Sequence, residues 1–131
     1  MKPLRKSLNP ITLTVFAPLL ILVGISGFIL PEQPTSTAAA YNIFHIAFGA
    51  MGLLFVLMKS DQLILGFNIG FGAIDLYQAL ASMIGIFPER FFRWTAVDDV
   101  LHIIIGAGLV LIGIYGLNRQ QADSGDIQLS V

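Results

Sequence analysis

Apolar residues along this chain fall into four long runs, separated by short stretches that hold most of its prolines, acids and bases. The first run covers residues 11–30 without a charge, and the second covers 41–58. The third, 63–87, carries a single acid, Asp75, and the fourth covers 97–117. At about 1.5 Å of rise per residue, each run suits a hydrocarbon core of about 30 Å, given modest tilt or thinning. The runs lack the alternation of barrel strands, and in lipid only a helix satisfies the backbone groups of such a segment by itself. The pattern predicts an all-α membrane protein, a bundle of four transmembrane helices. A short N-terminal segment (1–10) and a polar tail (118–131) flank it.

Punctuation at the run boundaries agrees. Asn9-Pro10 opens the first helix, with proline where no backbone donor is needed, and Pro31 and Pro34 close it. Thr95 and Asp98 form a T-x-x-D capping box at the start of the fourth. Pro18, inside the first helix, removes the hydrogen bond to Thr14 and predicts a kink. Lys2, Arg5 and Lys6 ahead of an apolar run, with Thr37-Ala38-Ala39-Ala40 behind it, have the outline of a secretory leader. The run is too long for a leader core and the small residues lie well past its end, so it is read as a retained helix. The tail after Arg119 is polar and is expected to be disordered and solvated.

Composition adds an environment. Of the 131 residues 56% are hydrophobic and only 11% charged, about half the charge of a typical soluble domain. Too little polar surface exists to coat a globule, so the outside must face lipid. A net charge of −1 implies no polyanionic partner such as nucleic acid. Cysteine is absent, which excludes disulfides, thiolate metal sites, iron–sulfur clusters and cysteine nucleophiles. Lys2, Arg5, Lys6, Lys59 and Arg119 fall on one side of the predicted bundle and Arg90 and Arg93 on the other, which puts both termini in the cytoplasm.

A shift of 57 residues superimposes part of the chain on itself without a gap. Pro31 falls on Pro88, Glu32 on Glu89, His45 on His102, Gly49 on Gly106 and Leu54 on Leu111. Matches among Ile, Leu and Ala are cheap in an apolar sequence; a Pro-Glu pair and the only two histidines are not. The expectation is a bundle of two duplicated helical hairpins related by an axis along the membrane normal. In this register Asp75 corresponds to Pro18.

Few residues could carry chemistry. His45 and His102 stand at equal depth, each on a face with small residues, which points both imidazoles into the bundle. Two facing imidazoles could ligate a b-type haem, or a metal together with Asp98 or Asp99. The plainer use is to hydrogen-bond a neighbouring helix, or the acid or amide one turn earlier, and so tie down a helix start. Asp75 sits midway along the third helix, where a charged carboxylate in lipid costs about 2.5–3.5 kcal/mol. Asn68, Asp75, Gln78 and Ser82 recur at helical spacing as a polar stripe. That stripe is either a proton or ion path, or an interhelical clamp in which Gln78 and a partner satisfy Asp75. Gly49, Gly66, Gly70 and Gly106 are expected at close helix packings. Phe91, Phe92 and Trp94 suit an interfacial aromatic belt. No nucleophile elbow, phosphate loop or zinc-protease motif occurs, so an enzyme is not expected.

Asn42-Ile43-Phe44-His45 followed by Gly49 and Gly52-Leu53, and Asp98-Asp99-Val100-Leu101-His102 followed by Gly106, resemble a family of small bacterial four-helix membrane proteins. That family is known only as a domain of unknown function. The resemblance covers roughly residues 11–117 and implies the fold and a multi-pass location in a bacterial inner membrane, but no activity. The polar third helix departs from it. The leading expectation is a non-catalytic accessory component, embedded in the lipid bilayer within a larger membrane complex or a homo-oligomer. One alternative is a small proton-coupled or ion-conducting transporter using Asp75. Another is a haem b or quinone redox carrier using His45 and His102.

Overall fold

The structure, a computed structural model, describes residues 8–129, with side chains through Asp123. The basic residues Lys2, Arg5 and Lys6 therefore lie outside the described residues. The described elements are α1 (Leu8–Ile29), α2 (Ala39–Leu57), α3 (Asp61–Ile84), α4 (Glu89–Phe92) and α5 (Ala96–Leu129). Helices α1, α2, α3 and α5 are each long and apolar enough to cross a membrane. The architecture is a four-helix bundle, with α4 a single turn in the last connection. The α1–α2 and α3–α5 connections share one end, called here the loop end. The start of α1, the α2–α3 connection and the far part of α5 lie toward the other, the terminal end.

Local chemistry sets the element ends. Ser60 caps α3 by accepting from the Leu63 amide at 3.3 Å. Gly85, at φ 71°, adopts the left-handed conformation that stops α3, so this helix ends short of residue 87. At the start of α5 the capping box forms: Asp98 N donates to Thr95 Oγ1 at 3.2 Å, and Thr95 N donates to Asp98 Oδ2 at 2.9 Å. Nothing stops α5 at residue 117. Arg119-Gln120-Gln121-Ala122 are good helix formers with no proline behind them, so the stretch after Arg119, expected to be disordered, continues the helix through residue 129. Helix α1 runs unbroken through Pro18.

Glycines bring the helices together in two pairs. A Cβ on Gly49 would lie 2.8 Å from the Ala17 carbonyl and 2.9 Å from the Ile21 amide, so α2 crosses α1 backbone to backbone. A Cβ on Gly106 would lie 2.8 Å from the Gly72 carbonyl and 3.0 Å from Leu76, and α5 crosses α3 in the same way. These crossings match Ala17 with Gly72 and Ile21 with Leu76, two residues off the register that aligns the histidines. Asp75 accordingly occupies the place that Leu20, not Pro18, holds in α1. The two extra residues fall between the end of α3 and Pro88. Gly66 and Gly70 differ from the expectation: among the described residues no atom comes within 4 Å of where their Cβ atoms would be. They border an open apolar groove between α2 and α3, lined also by Phe48, Met51, Phe55 and Phe67.

Gly106→Leu is expected to push α5 off α3 and destabilise the fold by about 1–3 kcal/mol through overpacking. Gly108→Leu, on the same helix where a Cβ would meet nothing within 4 Å, should be close to neutral. Thermal unfolding in detergent, followed by the fluorescence of Trp94, separates the two.

Between the pairs lies a core of Leu13, Ala17, Leu20, Ile64, Phe67, Phe71 and Leu109, with Phe16, Phe44 and Phe48 packed against it. Phe67 and Phe71 stack with ring centroids 5.3 Å apart. Outward-facing positions such as Ile11, Val15, Leu22, Ile104 and Leu111 are more than half exposed, as they are on a surface solvated by lipid chains.

Candidate functional site

Two polar knots tie the helices at opposite ends. At the terminal end, Asn68 Nδ2 donates to Asn9 Oδ1 at 2.8 Å, and Asn9 Nδ2 donates to the Ile112 carbonyl at 3.1 Å. This joins α1, α3 and α5 through two buried amides, and it gives Asn68 a structural use. At the loop end, the Asp98 carboxylate is 1% exposed and accepts hydrogen bonds from three residues. Its donors are Tyr41 Oη (2.6 Å), Ser36 N (2.8 Å) and Thr95 N (2.9 Å). The Ser36 hydroxyl donates in turn to the Phe92 carbonyl at 2.5 Å, and the Thr95 hydroxyl to the Pro34 carbonyl at 2.7 Å. Asp98 thus bolts the 30–38 connection and α2 to the start of α5. Its cap signal was readable in the sequence; its long-range role was not. No local pattern marks Tyr41, although it sits at the position that a 57-residue shift places on Asp98.

The histidines lie just inside this knot, His45 at 5% and His102 at 4% exposure. His45 Nδ1 lies 2.7 Å from the Tyr41 carbonyl, so Nδ1 carries the proton and Nε2 is left as an acceptor. The bond is to the backbone one turn earlier rather than to the Asn42 amide, because that side chain packs over Gly27 and donates to the Thr37 carbonyl. Tyr41 lies over the His45 ring, with centroids 4.0 Å apart. Trp94 meets His102 edge-on at 6.1 Å and stacks on Phe92 at 5.2 Å. Trp94, at 8% exposure, is therefore part of the interior and no member of an interfacial belt; Phe91 does remain exposed. His102 Nδ1 is buried without a hydrogen-bond partner among the described residues, so this imidazole does not tie down its helix start.

Asp75 is 3% exposed, midway along α3, with its Cβ against the Gly106 crossing. No hydrogen bond or ion pair reaches it among the described residues. Gln78, one turn toward the loop end, is 3% exposed with both amide atoms buried and unpartnered among the described residues. The clamp in which Gln78 satisfies Asp75 does not form. Continuing the Gly72–Gly106 contact along the two antiparallel helices sets Gln78 near the level of His102 and Ser82 near that of Asp99, whose Oδ1 is also unpartnered among the described residues. The polar stripe on α3 and the polar face of α5 thus oppose one another between the crossing and the loop-end knot.

Comparison with protein-family models, with curated proteins and with solved structures finds no match.

Among the described residues, no three His, Asp or Glu side chains converge as a metal ion requires. The two imidazoles are enclosed by Tyr41, Phe44, Trp94 and the Asp98 knot. Chemically, the arrangement offers a carboxyl and an amide within one turn of each other on α3, with the imidazoles of α2 and α5 buried nearer the loop end.

Proposed function

We propose that this chain is an integral membrane protein that carries protons or a small cation through its interior, with Asp75 as the acceptor. The observation that supports this is the solitary Asp75. A buried carboxyl within a membrane span is expensive, and structural acids recover that cost through partners, as Asp98 does. Asp75 has none among the described residues, and the groups beyond it are the kind that pass protons. The reading includes a multi-pass location in a bacterial inner membrane, both termini cytoplasmic, and an origin by duplication of one helical hairpin. With that orientation the loop end faces outward. The test is proton flux in proteoliposomes under a pH gradient: wild type is expected to conduct, and Asp75→Asn to lose the flux. Flux that survives the substitution, or none in wild type, refutes it.

A second reading has its own observation. The groove beside Gly66 and Gly70 bares the backbone of α3 to any helix lying along it. That suits an accessory subunit docked on a larger complex or on a second copy. Co-purification in mild detergent tests it, and Gly66→Leu with Gly70→Leu should release the partner. The haem reading is tested by colour: after expression with ample haem, the purified protein is expected to lack a Soret band.

A further inference from the structure

The unpartnered polar atoms are not spread evenly around Asp75. On its loop-end side lie both amide atoms of Gln78, His102 Nδ1, Asp99 Oδ1, Trp94 Nε1 and Asn42 Oδ1, all buried and lacking hydrogen-bond partners among the described residues. Asp99 is itself partly exposed, so the series begins at the surface and runs inward past His102 and Gln78. On the terminal side the picture changes. The Gly72–Gly106 crossing closes α3 on α5 directly beside Asp75. Beyond it come Leu13 and Ala17 at 0% exposure, Phe71 at 2%, Leu109 at 4% and Phe67 at 5%. The next polar group, Asn68, lies seven residues away, or about 10 Å along the helix. Its amide nitrogen is already held by Asn9, and only its Oδ1 is unpartnered.

Buried polar groups that lack protein partners are satisfied by ordered water, and such a site needs several convergent donors and acceptors. We infer that Asp99, His102, Gln78 and Asp75 line an internal water-binding site that opens only at the loop end. A dry plug of Leu13, Ala17, Phe67, Phe71 and Leu109 separates it from the terminal end. This deepens the transport reading by giving Asp75 access to one aqueous phase at rest, and the water site itself does not depend on flux. Transport across the membrane then requires the plug to open.

The chain has no cysteine, so single introduced thiols can be probed without background. Asp75→Cys and Gln78→Cys, reconstituted in vesicles of known orientation, would be treated with silver ion, a thiol-specific probe near the size of water. Residual thiols are then counted with a fluorescent maleimide after denaturation. Thr37→Cys and Gln62→Cys, exposed at opposite ends, report that each face is reachable. Silver applied at the loop end is expected to protect positions 75 and 78 at least tenfold more than silver applied at the terminal end. Equal protection from both faces, protection from the terminal face, or none from either overturns the proposal. Should one variant fail to fold, the other carries the same test. Loss of sided labelling removes the water site, whereas sided labelling in a protein without flux removes only the transport reading.

Discussion

Asp98→Ala is expected to destabilise the protein by about 3–5 kcal/mol. One carboxylate at 1% exposure holds donors from the first connection, from α2 and from the residue that caps α5. Hydrogen bonds to a charged group are worth about 1.5–3 kcal/mol each, and truncation leaves the Tyr41 hydroxyl and two amides buried without a partner. Tyr41→Phe removes one bond and keeps the ring over His45, so it should cost about 1–2 kcal/mol. Glu32→Ala, on the exposed connection, should stay within about 0.5 kcal/mol of wild type. Unfolding in detergent, read from the fluorescence of Trp94 beside the knot, gives the order. An Asp98→Ala protein as stable as Glu32→Ala would show that the halves are not joined there.

Asp75→Asn is expected to move in the opposite sense: stability unchanged or raised, and proton flux reduced at least tenfold. The two acids differ in their partners, not in depth of burial. Asp98 is surrounded by donors, so its charge is matched; Asp75 is 3% exposed and matched by nothing among the described residues. Asparagine cannot ionise, so the substitution removes a charging cost of up to about 2.5–3.5 kcal/mol and breaks no bond. It also removes the only carboxyl on the stripe that can take up and release a proton. A fall in stability of more than about 1 kcal/mol would make Asp75 a structural partner after all, whatever the flux.

The spans were legible because lipid imposes a length and forbids unpaired backbone, and those rules leave a plain mark in the sequence. Their ends were less so. The stop at Gly85 needed a left-handed residue that could equally have been one more small residue in a helix. The tail past Arg119 is polar enough to be mistaken for an irregular end, yet its residues favour helix. Within the site, Asp75, Gln78 and the histidines were visible as polar interruptions of apolar faces. Their partners were not, because hydrogen bonds such as Tyr41 to Asp98 span 57 residues and obey no local period. The same limit explains Gly66 and Gly70: a small-residue spacing says that a helix can be approached closely, not which neighbour does so.

Helix α3 is the least apolar of the four spans and the most enclosed by the others. Its stripe of amides and carboxyl would partition poorly into lipid as an isolated segment. During synthesis it therefore has reason to linger at the insertion machinery until α5 emerges and shields it. The most polar helix, on which any transport activity would rest, would then enter the bilayer as a passenger of its apolar neighbour. Biogenesis and function would then meet at the same glycine crossing.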